Sequence, residues 1–269
     1  MCRWLAYRGT AIRMDELLLQ PEHSLLLQSR HARESTFEVN ADGFGVGWYT
    51  DRSEPGVYHD TRPAWNDRNL ASLARHISSP LILAHIRAAV GSMVVRSNCH
   101  PFRHQRWLFQ HNGSIGDFGT IKHQLDMQID PALYAEKQGQ TDTETLFLLA
   151  LTFGLQQDPQ SGLCRAIEAV DRAREQAGLA SRFTMTVAIT DGNDLYAARY
   201  ASEGAQPSLY HSQPGAVLTS GTGAQIPLPS DGILVLSEPL DDLPDHWIEV
   251  PETSWLAIDR NGATACNLF

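Results

Sequence analysis

No stretch of the chain is apolar for the length of a membrane span. The leucine-rich runs at 17–19 and 25–27 are separated by Gln20, Pro21, Glu22 and His23, far short of the ~20 residues that a spanning helix needs. Positive charge is also scarce. The 21 Lys and Arg stand against 31 Asp and Glu, for a formal net charge of −10 and no basic run. A nucleic-acid partner is therefore not expected, because phosphate binding needs a basic face. Cysteine is limited to Cys2, Cys99, Cys164 and Cys266, widely spaced and without a CxxC pair. That excludes a disulfide framework and fits a reducing cytoplasm. No apolar core of a signal peptide precedes the first strand, and neither a low-complexity stretch nor a repeat of fixed period is present. His85, His100, His104 and His111 cluster in sequence near Cys99, but their spacing matches neither a zinc finger nor HExxH. Phe44-Gly-Val-Gly-Trp48 lacks the GxGxxG-then-helix context of a dinucleotide loop, and the surroundings of Cys99 are not those of a papain-like nucleophile. No metal and no cofactor are implied.

What is present is an ordinary globular composition, 42% hydrophobic over 269 residues, enough for one folding unit with a real core. Alternation and turn residues predict strands at 2–8 (ending at Gly9), 44–50, 81–87 and 107–110, with short helices at 14–19 and 67–77, the latter closed by Pro80. Two stronger helices follow at 142–153, with Thr141 or Asp142 as cap and Glu144 in its first turn, and at 161–177, with apolar positions at helical spacing. Strands return at 183–190 and 195–201 around the hairpin signal Asp191-Gly192, then at 216–219, 232–236 and 255–258. The Pro/Gly/Ser-rich stretch 206–230 reads as loops. Strands, two central helices and strands again predict two sheets packed between helices.

The residue that carries most chemistry is Cys2. Removal of Met1 would place a thiol and a free α-amine on one residue, and the amine, titrating near 8, can act as base for the adjacent sulfur. Four motifs accompany it: Leu83-Ala-His-Ile-Arg87 at a strand end; Asn98-Cys-His-Pro-Phe102; His111-Asn-Gly113; and Thr141-Asp-Thr-Glu144 at a helix start. Singly, they read as a surface arginine, a turn and a helix cap.

Together with Asn40-Ala-Asp-Gly-Phe-Gly45 and Arg62-Pro-Ala-Trp-Asn-Asp67, these motifs resemble the class II glutamine amidotransferase family. Its members are N-terminal-nucleophile hydrolases that release glutamate from a γ-amide through a γ-glutamyl thioester. The resemblance covers most of residues 2–153 and, more loosely, the Ser237-Glu-Pro-Leu-Asp-Asp-Leu-Pro244 segment. It is nearest to short stand-alone members: YafJ-like proteins, the γ-glutamyl amidohydrolase of ergothioneine synthesis, and the amidotransferase-like subunit of a glutathione-degrading complex. It implies an α+β fold, a four-layer αββα sandwich with two mainly antiparallel sheets, and a single domain over 1–269.

The resemblance assigns Cys2 as nucleophile and Arg87 to the substrate α-carboxylate, which suits a bidentate guanidinium. It assigns Asp142 to the α-ammonium, and the Asn112 side-chain amide with the Gly113 N–H to the oxyanion. His100 is expected as a wall of the substrate site, and Asp42 as a support for the N-terminus. One departure bears on the substrate. In the synthase-fused members Trp-Ala-Thr follows the arginine, whereas here Ala88, Ala89 and Val90 follow Arg87. The indole and the threonine hydroxyl are gone, which leaves room for a γ-glutamyl compound larger than glutamine. The implied partners are thus glutamine or a γ-glutamyl small molecule, and a synthase or peptidase subunit. The other class of function is a catalytically silent subunit that binds or regulates a partner enzyme.

Overall fold

A computed structural model describes residues 2–31, 39–89 and 91–269. The chain begins with β1 (Arg3–Arg13), α1 (Met14–Leu18), α2 (Leu25–Gln28), β2 (Phe44–Trp48), β3 (Gly56–Asp60), α3 (Arg68–His76) and β4 (Ser78–Ile86). There follow β5 (Phe102–His104), β6 (Trp107–Ile115), α4 (Phe118–Asp126), α5 (Pro131–Tyr134), α6 (Asp142–Thr152) and α7 (Pro159–Gln176). The last part is mostly strand, with one 3-10 turn at Pro244–His246: β7 (Phe183–Thr190), β8 (Leu195–Ala201), β9 (Tyr210–Ser212), β10 (Val217–Thr219), β11 (Gln225–Pro227), β12 (Ile233–Leu236), β13 (Trp247–Glu249), β14 (Ser254–Asp259) and β15 (Gly262–Asn267).

Two sheets carry the fold, in the orders β13-β9-β12-β1-β4-β2-β3 and β15-β14-β8-β7-β6-β5, and every pair in them is antiparallel. Strand alternation sorts their side chains into layers. In β1, Leu5 and Tyr7 face α1, α2 and α3, joining Met14, Leu17, Leu25 and Leu70, while Trp4 and Ala6 face the other sheet, joining Leu83, Leu108, Ala197 and Val235. On the far side of the second sheet, Phe109, Met185 and Val187 pack on α4, α6 and α7. The result is the expected four-layer sandwich of helix, sheet, sheet and helix. Helix α6 is buried almost all round, from Thr143 to Leu151, as befits an apolar helix lying between a sheet and two other helices. Phe109 stacks on Phe147 with ring centroids 5.0 Å apart, which fixes α6 against β6.

Three local expectations are corrected. Strand β1 does not stop at Gly9 but runs to Arg13, with a register shift against β4 between Arg8 and Ile12 that absorbs the glycine. Pro80 lies inside β4 rather than ending α3, which stops at His76. The sequence His111-Asn-Gly113 is strand throughout, in continuous register with β7 from Leu108 to Ile115. Within 206–230, β10 meets the strand expected at 216–219, and β9 and β11 lie in what was read as loop.

Candidate active site

The same alternation that builds the layers selects the site. On β4, Leu81 and Leu83 face the second sheet, so His85 and Arg87 follow on that face. On β6, Leu108 faces the first sheet, so Gln110 and Asn112 do too. Continuing β1 back by one residue from Arg3 turns Cys2 to the same side as Trp4. Cys2, Arg87 and Asn112 thus meet from two sheets at one end of the sandwich. Cross-sheet bonds hold the register. Trp4 Nε1 donates to Thr186 Oγ1 at 3.1 Å, Thr186 being the ladder partner of Asn112. Gln110 Nε2 donates to the Leu5 carbonyl at 3.0 Å, and His85 Nε2 to the His111 carbonyl at 3.1 Å.

The thiol is well placed but not self-activated. The Ala88 N–H donates to Cys2 Sγ at 3.3 Å. Burial pushes the thiol up, the Ala88 amide and the Arg87 guanidinium pull it down, and the Asp142 charge pushes it up again, with a net rise. A thiol held in its protonated form needs a base beside it. The start of β1 is anchored by the C-terminal Ser237-Glu-Pro segment. Arg3 Nε pairs with Glu238 at 2.8 Å with both groups buried, Arg3 Nη1 donates to the Cys2 carbonyl at 3.0 Å, and the Trp4 N–H donates to Ser237 Oγ at 3.1 Å.

Arg87 is buried, and its backbone is locked to the 42–43 loop by the bonds Arg87 N–H to Gly43 O (2.9 Å) and Asp42 N–H to Arg87 O (3.1 Å). Its guanidinium donates to the Asp42 carbonyl at 3.3 Å and to Ser92 Oγ at 2.6 Å. The Asp42 carboxylate accepts the Ala89 N–H at 2.8 Å, so Asp42 supports the turn after Arg87; its expected contact with the N-terminus falls on Met1, outside the described residues. Among the described residues Arg87 has no carboxylate partner within ion-pair distance. Asp142, at the first position of α6, likewise has no cationic partner there. Its oxygens accept the N–H groups of Ile115 (2.9 Å) and Thr143 (2.8 Å). The start of α6 is rigid: Thr141 caps it through the Glu144 N–H (3.2 Å), and the Glu144 carboxylate turns back to the N–H groups of Gln138 and Gly139 (2.8 and 2.7 Å). A buried guanidinium without an anion and a carboxylate without a cation, both felt by the same thiol, are unusual because buried charge is costly unless paired.

Asn112 is buried with its Oδ1 unpartnered among the described residues. Gly113 has φ +147°, and a Cβ there would lie 2.0 Å from the Thr184 carbonyl oxygen and 2.7 Å from His111 Nε2. Only glycine fits between the paired strands. Gly113→Ala is expected to lower stability by about 2–3 kcal/mol, since both backbone strain and a clash with backbone must be relieved. A urea midpoint unchanged from the parent would refute this.

His100, expected as a wall of the site, is packed among rings: its own lies 4.0 Å from that of His85 and edge-on to Phe102, with both nitrogens unpartnered among the described residues. It is about as buried as Arg87 and Asn112. Sequence reading missed Ser92 and gave no role to His85, His111 and Thr143. Their roles come from contacts across the fold, although the last three lie within the motifs already singled out. Met1 and Val90, on which two sequence expectations fall, lie outside the described residues. A cavity of about 390 Å³ lies away from the thiol, walled by Tyr210, Trp247 and the 238–244 segment. Its carboxylates are already engaged: Glu238 by Arg3, Asp241 by Trp247 Nε1, Asp242 by His23 and Glu249 by Arg199. Among the described residues no cluster of three His, Cys, Asp or Glu side chains is placed to hold a metal, and no helix is long and apolar enough to cross a membrane.

Residues 19–206 match the family model of the class-II glutamine amidotransferases. The probable glutamine amidotransferase DUG3 of Saccharomyces cerevisiae is 32% identical over 97% of this chain and 82% of its own. The γ-glutamyl-hercynylcysteine sulfoxide hydrolase of Mycolicibacterium smegmatis is 26% identical over 94% of this chain and 93% of its own. Among solved structures, a glutamine aminotransferase class-II domain protein from Silicibacter pomeroyi is 35% identical with a TM-score of 0.76, each chain covered completely. A glutamine phosphoribosylpyrophosphate amidotransferase from B. subtilis, 17% identical with a TM-score of 0.64 and matched over 49% of its length, shares the fold.

Proposed function

The chain belongs to the class-II glutamine amidotransferases, and on that premise we propose that it hydrolyses the γ-amide of glutamine or of a γ-glutamyl compound through a thioester on Cys2. The observation that carries this reading is the pair of opposite charges beside the thiol, neither of them ion-paired among the described residues. Arg87 and Asp142 complement the carboxylate and ammonium of one amino acid, whose side chain then extends to Sγ. After removal of Met1, the α-amine of Cys2 takes the thiol proton and the sulfur attacks the γ-carbonyl. The Asn112 amide and the Gly113 N–H receive the developing oxyanion, where such a donor is worth about 3 kcal/mol. The tetrahedral adduct collapses, the leaving nitrogen departs with the proton as ammonia or an amine, and water resolves the thioester to glutamate and free Cys2.

Ala88 leaves space where the synthase-fused members carry an indole, and the mycobacterial relative is named for a γ-glutamyl substrate much larger than glutamine. A γ-glutamyl conjugate is therefore favoured over glutamine alone. Residues 1–269 serve as one amidohydrolase-type domain in the cytoplasm, and a synthase or peptidase subunit is the partner that such a product implies. The test is glutamate release from glutamine, glutathione and simple γ-glutamyl amides, with Met1 removal verified by intact mass and Cys2→Ala as control. Cys2-dependent release, faster from conjugates than from glutamine, is the expected result. Silence on all of them from correctly processed protein would overturn the proposal.

A further inference from the structure

His111 lies on the face of β6 opposite to Asn112 and turns towards α6. Its Nε2 is 3.4 Å from the Thr184 carbonyl oxygen and its Nδ1 is 2.8 Å from Thr143 Oγ1. A carbonyl only accepts, so Nε2 carries the ring proton and Nδ1 is an acceptor. The Thr143 hydroxyl then has to donate to Nδ1. The same hydroxyl lies 3.4 Å from Asp142 Oδ1, and a carboxylate also only accepts. One proton therefore has two competing acceptors, and the 2.8 Å contact wins while His111 is neutral.

We propose that His111 and Thr143 are positioning residues for the substrate ammonium: the neutral ring draws the Thr143 proton onto Nδ1 and so leaves Asp142 Oδ1 open. Asp142 already accepts one N–H on each oxygen. A hydroxyl turned onto Oδ1 would occupy a site the ammonium needs and weaken the carboxylate as its counter-charge. Protonating His111 has that effect. Nδ1–H then donates to Thr143 Oγ1, and the hydroxyl proton swings to Asp142. Burial keeps the ring neutral, with Asp142 and the Thr184 carbonyl opposing. The titratable groups facing it are His85 from β4, His100 from the segment before β5, and Asp142 from α6; β7 presents only the Thr184 carbonyl.

This inference rests on Asp142 binding the ammonium as proposed above, and a mutant cycle separates the two. His111→Leu should raise KM for the γ-glutamyl substrate about tenfold with kcat within about twofold, because the freed hydroxyl turns onto Asp142. Adding Thr143→Val should return KM to within about threefold of the parent, since the competing proton is gone. His111→Asn, whose amide oxygen can stand in for Nδ1, should stay near the parent. A double variant as poor as His111→Leu, or a loss in kcat rather than KM, overturns the inference. If His111→Leu does not fold, the pH profile decides. KM of the parent should rise on acidification and that of Thr143→Val should stay flat, and an equal rise in both overturns it. No Cys2-dependent turnover in the parent would instead strike the functional reading, and the same cycle is then read as calorimetric affinity for L-glutamate on a Cys2→Ala background. There, additive losses again refute the positioning role.

Discussion

Replacing Cys2 by serine leaves a folded protein whose glutamate release falls by roughly 10³-fold or more. The fold survives because the side chain is only partly buried and, among the described residues, Sγ bonds only with the Ala88 backbone. Chemistry fails because the base is weak. Among the described residues no histidine bonds to Sγ: His85 is committed to the His111 carbonyl, and His111 to Thr143 and Thr184. That leaves the α-amine of Cys2, a weak base that ionises a thiol far more readily than the much less acidic alcohol. Protein that retains Met1 should be silent for the same reason, as its amine sits one residue away. The measurement is kcat/KM beside thermal unfolding, with processing read by mass. Undiminished turnover in Cys2→Ser or in the Met1-retaining form would place the nucleophile or the base elsewhere.

Much of this site was legible because its parts announce themselves locally. Cys2 follows the initiator, Arg87 ends an apolar run that could only be a strand, and Thr141 with Asp142 marks a helix start. What was hidden depends on tertiary contact. The sequence His-Asn-Gly looks like a turn because Asn and Gly favour positive φ, yet β7 pairs with all of it, and a glycine is needed there only because the Thr184 carbonyl comes so close. Ser92 reaches Arg87 from a loop with no periodic signal, and Thr143 meets His111 from 32 residues away. Of the strands that went unread, β5, β9, β11 and β13 are three residues long, too short for alternation to register, while β3 and β15 are edge strands of five and six residues. Local pattern gives the chemistry, whereas the charge balance that tunes it belongs to the assembled sandwich.

Lowering the pH from 7 to 4 is expected to cost most of the protein's stability, and the cause is the group of histidines around His85. Burial depresses His85 to about 3 and His59 to about 4, and it lowers His100 and His111 as well. In the unfolded chain each returns to about 6.5. Above pH 6.5 neither state binds the proton and the groups are silent. Below it the unfolded chain binds protons that the folded state refuses, so stability is lost as pH falls towards the folded values. At about 1.4 kcal/mol per pH unit for each group, His59 and His85 alone remove about 6 kcal/mol by pH 4, against a typical total of about 5–15. The check is the urea midpoint between pH 7 and 4. His100→Phe sharpens it, because the ring has no hydrogen bond to lose among the described residues and already packs edge-on against Phe102. This variant should match the parent at pH 7 and fall less steeply in acid. A midpoint that holds level to pH 4 would mean that these histidines are charged, or reach water, in the folded protein.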